Sequence, residues 1–270
     1  MELLFITNEP QIARSAVAAG VQRIFVDLET VGKQERQKTL NAHLSTHTMS
    51  DVGRIRKAVP EALLLVRCNP LSDASDREVE EALGQGADML MLPMFYTPEE
   101  ISRFVRLVDR RARVVALVET PGALARLRQI LRTDHPPDEV YLGLNDLSLL
   151  MGLRFLMEVL SGGLVDHFCR EARDAGVPYG FGGVGTLGSG KVPAELILSE
   201  HVRLGSSRVI LSRAFRDAAL SDNDHSHTRL ADEVQRLAQH IVGLGGSSAA
   251  HLERNRQSLI AAVQRVIEHG

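Results

Sequence analysis

The chain has only two cysteines, Cys68 and Cys169, far apart and in no metal-like spacing. That argues against a disulfide scaffold and against a structural zinc site, and makes a reducing cytoplasm the expected location. Basic residues are not in excess: 31 Lys and Arg stand against 34 Asp and Glu, for a formal charge of −3. Nucleic acid is therefore not an expected partner. No apolar run approaches the ~20 residues that cross a bilayer, so no membrane partner is expected either. The opening MELLFITNEPQ lacks the basic start and the long apolar stretch of a secretory leader.

What is present is a core: 44% of the 270 residues are hydrophobic, enough for one large α/β domain. Short apolar runs recur at 2–6 (ELLFI), 21–26 (VQRIFV), 62–66 (ALLLV), 88–92 (DMLML), 113–118 (RVVALV), 139–143 (EVYLG), 177–180 (VPYG) and 207–211 (SRVIL). They are continuous rather than alternating, as parallel strands covered on both faces are. Amphipathic stretches separate them, at 10–19, 98–108 and 123–131 among others. Thr97-Pro98 and Thr120-Pro121 read as helix starts, and Gly20, Gly86, Gly176 and Gly205 as helix ends before the next strand.

Eight strand–helix repeats predict a (β/α)8 barrel over residues 1–220; a doubly wound sheet, the competitor, usually has fewer strands. Residues 221–270 are predicted to form a helical extension. Its two amphipathic helices, 228–244 and 250–268, flank GLGGSS (243–248) and either cap their own barrel or reach a neighbouring subunit.

Barrel chemistry sits where strands end. Asp27 and Glu29 follow the second run, Arg67 and Asn69 the third, and Glu119 the fifth. Asn145 and Asp146 follow the sixth, GFGGVGTLGSG (180–190) the seventh, and Ser212 and Arg213 the eighth. Glu119 and Asp146, on neighbouring strands, repel each other unless a cation lies between them. Hard oxygen donors suit Mg²⁺ or Mn²⁺; the alternative is an ion pair of Glu119 with Arg67. Arg67 itself either holds an oxyanion or forms a structural pair with Asp27 or Glu29. No lysine stands at a strand end, which disfavours Schiff-base chemistry. Gly183, Gly185 and Gly188 match the dinucleotide fingerprint, but after the wrong strand; the amides of that loop still suit an anion. His43 and His47, four apart in the long connection after strand two, are either proton-transfer residues at the mouth or surface histidines.

Taken together, "IFVDLETVGKQERQ" (24–37), "LLVRCNP" (64–70), "GADMLMLPMF" (86–95), "LVETPGAL" (117–124), "YLGLNDLSLLMG" (141–152) and "PYGFGGVGTLGSG" (178–190) resemble the HpcH/HpaI aldolase and citrate lyase beta-subunit superfamily. The resemblance implies a metal-dependent carbon–carbon lyase acting on a 2-oxo acid such as pyruvate. Glu119 and Asp146 match the metal ligands, and Arg67 matches the arginine that steadies the enolate. Backbone amides around Asn145 and Asp146 meet the substrate carboxylate, with Gly143, Gly182 and Gly183 as further substrate-binding candidates. Relay of a proton through water falls to Glu29, His43 or His47. Thr30 stands where hydroxy-oxo-acid aldolases carry a His and citrate lyase relatives an Asp. Neither branch's substrate therefore transfers, and the alternatives are an acyl-CoA lyase of the citryl-CoA or malyl-CoA type, or a non-catalytic barrel scaffold. The resemblance also implies a homo-oligomer, trimeric or hexameric.

Overall fold

A computed structural model describes residues 1–32, 46–220 and 226–269. Its eight strands pair in parallel and in chain order, and the last closes on the first. They are β1 (Glu2–Ile6), β2 (Arg23–Asp27), β3 (Leu63–Arg67), β4 (Met89–Leu92), β5 (Arg113–Val118), β6 (Glu139–Leu142), β7 (Tyr179–Val184) and β8 (Arg208–Leu211). The described helices are α1 (Pro10–Ala18), α2 (Met49–Ala58), α3 (Ser75–Gly84), α4 (Pro98–Val108), α5 (Pro121–Ala125), α6 (Leu127–Ile130), α7 (Leu144–Leu150), α8 (Glu158–Ser161), α9 (Leu164–Asp174), α10 (Ala194–Leu204), α11 (Arg213–Ala219), α12 (Ser226–Gly245) and α13 (Ala249–His269). The expected (β/α)8 barrel is therefore the fold. No described helix is long and apolar enough to cross a membrane.

The continuous apolar runs have a simple cause. Successive strand residues face opposite sides, and here both sides are dry. One set, including Phe5, Ile24, Leu64, Leu90 and Val114, packs against the helices. The other, Leu4, Phe25, Leu65, Met89, Met91, Val115, Leu117 and Tyr141, fills the barrel.

Two residues below that inward set lies a charged layer. Arg23 is only 1% exposed and clasps Glu139 at 2.7 and 3.0 Å, while Arg208 reaches the same carboxylate at 2.7 Å. Burial works against the Glu139 charge, but the two arginines prevail and hold its carboxyl below the usual range. Two residues above the inward set, the same parity brings Asp27, Arg67, Glu119, Gly143 and Ser212 to the top of the barrel. The site is the uppermost inward layer.

The helix signals act as expected. The Thr97 hydroxyl accepts from the Glu100 amide, and the Glu100 carboxylate accepts from the Thr97 amide at 2.8 Å. The Thr120 hydroxyl accepts from the Ala123 amide at 3.0 Å and donates to the Phe95 carbonyl at 2.7 Å. The extension packs on its own barrel: α12 lies against α1 and α10, and α13 against α10 and α8. Leu230, Val234, Leu237, Leu259 and Val263 join the same core.

Strand seven departs from expectation. It runs to Val184, so Gly182 and Gly183 lie within the strand rather than in the loop beyond it. Its pairing with β8 slips between Gly180 and Gly183, where Gly182 takes φ 55°. Tyr141 is the reason. Its ring occupies the space a side chain at Gly180 would need, 2.4 Å from where a Cβ would stand. Its hydroxyl accepts from the Ile210 amide at 2.9 Å and donates to the Gly182 carbonyl at 2.7 Å, replacing ladder bonds lost at the bulge. No helix follows until Ala194, so the glycine fingerprint has no dinucleotide geometry.

Candidate active site

Glu119 stands directly past β5 and is 2% exposed. Its Oε1 accepts the Met94 amide at 3.1 Å, and among the described residues it has no ion pair. Met94 takes φ 51°, a left-handed conformation that side chains other than glycine rarely adopt, and one that presents its amide to the carboxylate. Burial pushes the Glu119 carboxyl up, the charges of Asp146 and Glu29 add to this, Arg67 opposes it, and the pKa settles at about 8. Gly143 makes room for this group: a Cβ there would stand 2.8 Å from both Cβ and Oε2 of Glu119. The Gly143 amide donates to the Val118 carbonyl at 2.9 Å. Gly143 also lines the cavity at the barrel mouth, as a substrate-binding candidate must. Its amide belongs to the ladder, and its missing side chain leaves space beside Glu119.

Arg67 is clamped rather than loose. Its Nε and Nη2 donate to Asp27 Oδ1 and Oδ2, both at 2.8 Å, and its Nη1 lies 3.4 Å from Glu29 Oε2. Asp27 and Arg67 are direct register partners on β2 and β3, which is why the guanidinium meets Asp27 rather than Glu119. Phe25 lies beneath, with the guanidinium carbon 5.7 Å from its ring centre. Burial opposes the Arg67 charge, but Asp27, Glu29 and Glu119 together raise its pKa and keep it protonated.

Of the two alternatives for Arg67 the ion pair is present, and the guanidinium also lines a cavity of about 580 Å³ at the barrel mouth. Glu119, Gly143, Asn145, Asp146, Gly182, Gly183, Ser212 and Arg213 line the same space. Asp146, 6% exposed, sits in the first turn of α7.

His47 precedes α2, and its Nδ1 accepts the Asp27 amide at 3.0 Å, so in the neutral ring the proton sits on Nε2. It faces a neighbouring cavity with Asp27 and Arg67, not the one that holds Glu119. His43 lies outside the described residues. Thr48 and Asp51 begin α2, with Asp51 Oδ2 accepting the Thr48 amide at 2.7 Å, and residues 46–48 are not helical.

The family described as HpcH/HpaI aldolase/citrate lyase matches residues 2–174, a span that includes Arg67, Glu119 and Asp146. The chain belongs to that family. It is a family of aldolases and lyases, which supports an enzyme of lyase type. Among curated proteins none matches the chain. An HpcH/HpaI aldolase from Desulfitobacterium hafniense DCB-2 is 16% identical, with a TM-score of 0.61 over 92% of this chain and 94% of that one. The citrate synthase SbnG is 15% identical, with a TM-score of 0.63 over 86% and 94%. The tryptophan synthase alpha subunit from Legionella pneumophila str. Paris is 14% identical, with a TM-score of 0.59 over 90% and 93%. At such identities these likenesses establish the barrel and not the chemistry.

For an HpcH/HpaI chain, the donor set fits a hard divalent cation. Glu119 and Asp146 are buried carboxylates lining one cavity, and burial raises the Glu119 pKa, so a cation beside it would relieve its charge. No three of His, Cys, Asp and Glu gather into a closed cage among the described residues. Zinc usually demands such a cage, whereas Mg²⁺ is bound by one or two carboxylates and keeps several waters. Sequence reasoning missed Met94, Tyr141 and the apolar walls Phe25, Met91, Leu117 and Ile210. Phe25, Leu117 and Ile210 were detectable by counting back two residues from Asp27, Glu119 and Ser212.

Proposed function

We propose that this chain is a divalent-metal-dependent lyase that breaks and forms a carbon–carbon bond beside a 2-oxo acid, through a pyruvate-type enolate. The observation that carries this is Glu119, a buried carboxylate with no ion pair among the described residues, placed with Asp146 and a clamped Arg67 around one cavity. Glu119 and Asp146 hold Mg²⁺ or Mn²⁺. When bound, such a cation supplies a Lewis acid for the keto and carboxylate oxygens and offsets the acidic cluster.

The protein's own groups do the rest. Asp27 takes Nε and one hydrogen of Nη2, which leaves N–H groups of Arg67 to stabilise the developing enolate oxygen without reorganisation. In the cleavage direction the C4 hydroxyl loses its proton and the C3–C4 bond breaks. Its electron pair enters the enolate, the aldehyde leaves, and C3 then takes a proton. Glu29, 1% exposed beside Arg67, and His47, in the adjoining cavity that Arg67 also lines, are the described candidates for carrying that proton. Phe25, Met91, Leu117 and Leu144 exclude water from one side of the enolate, and low polarity strengthens each charge interaction there.

Proton NMR of pyruvate in D2O tests this without any acceptor. Metal-loaded protein is expected to exchange the methyl hydrogens, a chelator to stop the exchange, and Mg²⁺ or Mn²⁺ to restore it. Exchange that persists after chelation, or fails in the loaded protein, contradicts the proposal.

A further inference from the structure

The two C-terminal helices have no task in that mechanism, yet the turn between them borders a cavity of its own. Arg236, Gln239 and His240 from α12, Ser247 from the turn and His251 from α13 form its polar wall, and Leu187 from the loop after β7 joins them. The space is about 530 Å³ and shares no residue with the catalytic cavity. All of it lies beyond residue 174, where the family match ends. The GLGGSS turn and the glycine-rich loop after β7, both singled out in the sequence, meet here.

In a chain with an acidic excess, this wall holds no acid among the described residues. Asp232 and Glu233, one turn before Arg236, stay outside it. Glu233 accepts from Arg236 Nη1 at 2.8 Å, which leaves Nε and Nη2 for a ligand. Glu195, near the loop, accepts the Gly188 amide at 2.7 Å and is also outside the wall. His240 Nε2 is buried and has no hydrogen-bond partner among the described residues. His251 Nε2 faces Asn255 Nδ2 at 3.2 Å, so Nδ1 is the ring nitrogen left for a ligand. The turn receives the negative end of α12 and the positive end of α13, which offset each other, so side chains set the sign of the cavity.

A metal ion does not suit this wall. Its guanidinium repels a cation, and no three of His, Cys, Asp and Glu gather there. An oxyanion does suit it. Donors come from Arg236, His240, Ser247 and His251, on two helices and the turn between them. That spread matches the three terminal oxygens of a phosphate monoester better than the planar pair of a carboxylate. At the ~30 Å³ per heavy atom of liquid water, about 530 Å³ has room for roughly 17 heavy atoms, so a phosphate group leaves space for the molecule that carries it. Gln239 offers that body a polar partner, and Leu187 and Leu244 an apolar surface. We infer that the cleft between α12, α13 and the loop after β7 binds the phosphate monoester group of a small polar molecule, at a site separate from the reaction.

Calorimetric titration of the full chain, with no divalent cation added, compares glycerol 3-phosphate, glycerate and glycerol as probes. The phosphate ester is expected to bind saturably, glycerate at least ~10-fold more weakly, and glycerol not at all. In Arg236→Gln the affinity for the phosphate ester is expected to fall roughly 10- to 100-fold. His240→Gln, which leaves the guanidinium in place, should weaken binding by less. Arg229→Gln removes the same charge from the same helix outside the cavity and is expected to leave the affinity unchanged. Histidine ring signals in carbon–proton NMR spectra should shift for His240 and His251 as the phosphate ester saturates. No saturable binding of the ester, or glycerate bound as tightly, overturns the inference. So does an affinity unchanged in Arg236→Gln or lost equally in Arg229→Gln. Neither the enolate nor its metal enters this test, so its outcome is independent of the proposed reaction.

Discussion

Glu119→Gln is expected to lower metal-dependent turnover by ~10³-fold, and yet to raise the melting temperature of the metal-free protein above neutral pH. Both follow from one buried carboxyl. Its pKa is about 8 in the folded chain against an ordinary 4.5. The folded state therefore binds this proton more tightly than the unfolded one. Its contribution to stability is full below pH 4.5, falls as pH rises through the window to about 8, and is lost above it. Glutamine keeps the oxygen that accepts the Met94 amide and never ionises. At pH 9 the variant should melt roughly 5 °C or more above the metal-free wild type, with the gap closing towards pH 4.5. Metal must displace the same proton, so wild-type affinity for Mg²⁺ should climb ~10-fold per pH unit and level off near pH 8. Thermal scans and calorimetry at several pH values check all three trends. Metal-dependent turnover within ~10-fold of wild type in Glu119→Gln would remove this residue from the metal site.

Arg67→Ala is expected to be costly in a different way. Asp27 is 4% and Glu29 1% exposed, and the variant removes the Arg67 guanidinium from both. Breaking a buried pair from one side costs about 3–5 kcal/mol, readable as a shift in the urea midpoint. Turnover should vanish with it, which alone cannot separate folding from catalysis. Arg67→Lys does separate them. A lysine keeps the charge near Asp27 but cannot donate in parallel to both its oxygens and still face the enolate. Most of the stability should return, while turnover stays at least ~100-fold down. A lysine variant as active as the wild type would mean that charge alone, not the clamped fork, is what the reaction uses.

How much of this was legible in advance depended on how local the cause was. Glu119 was legible because a carboxylate that ends a buried strand has only the barrel mouth to go to, and Arg67 after LLLV for the same reason. Arg67 pairing with Asp27 rather than Glu119 was left open, because it follows from the register of β2 on β3, a non-local fact. Gly143 was selected as a substrate-binding candidate, and what the sequence did not show is that its amide is taken by β5 and that its missing side chain leaves room beside Glu119. The end of β7 was misplaced because three glycines among its six residues carry no hydrophobic period, and the strand is completed by a tyrosine from β6. Met94 gave no signal at all, since nothing in a methionine announces a left-handed turn. The arginine–glutamate layer at the barrel floor was visible only as single charges inside apolar runs, with nothing to say that Arg23, Glu139 and Arg208 meet.

Calorimetric titration of the metal-stripped protein with oxalate, with and without Mg²⁺, tests the enolate site most directly. Oxalate is planar like the enolate and offers two chelating oxygens. Binding that requires Mg²⁺, and that disappears in Asp146→Ala, is the result the geometry of Glu119, Asp146 and Arg67 predicts. Oxalate binding that ignores the metal, or survives loss of Asp146, would contradict it.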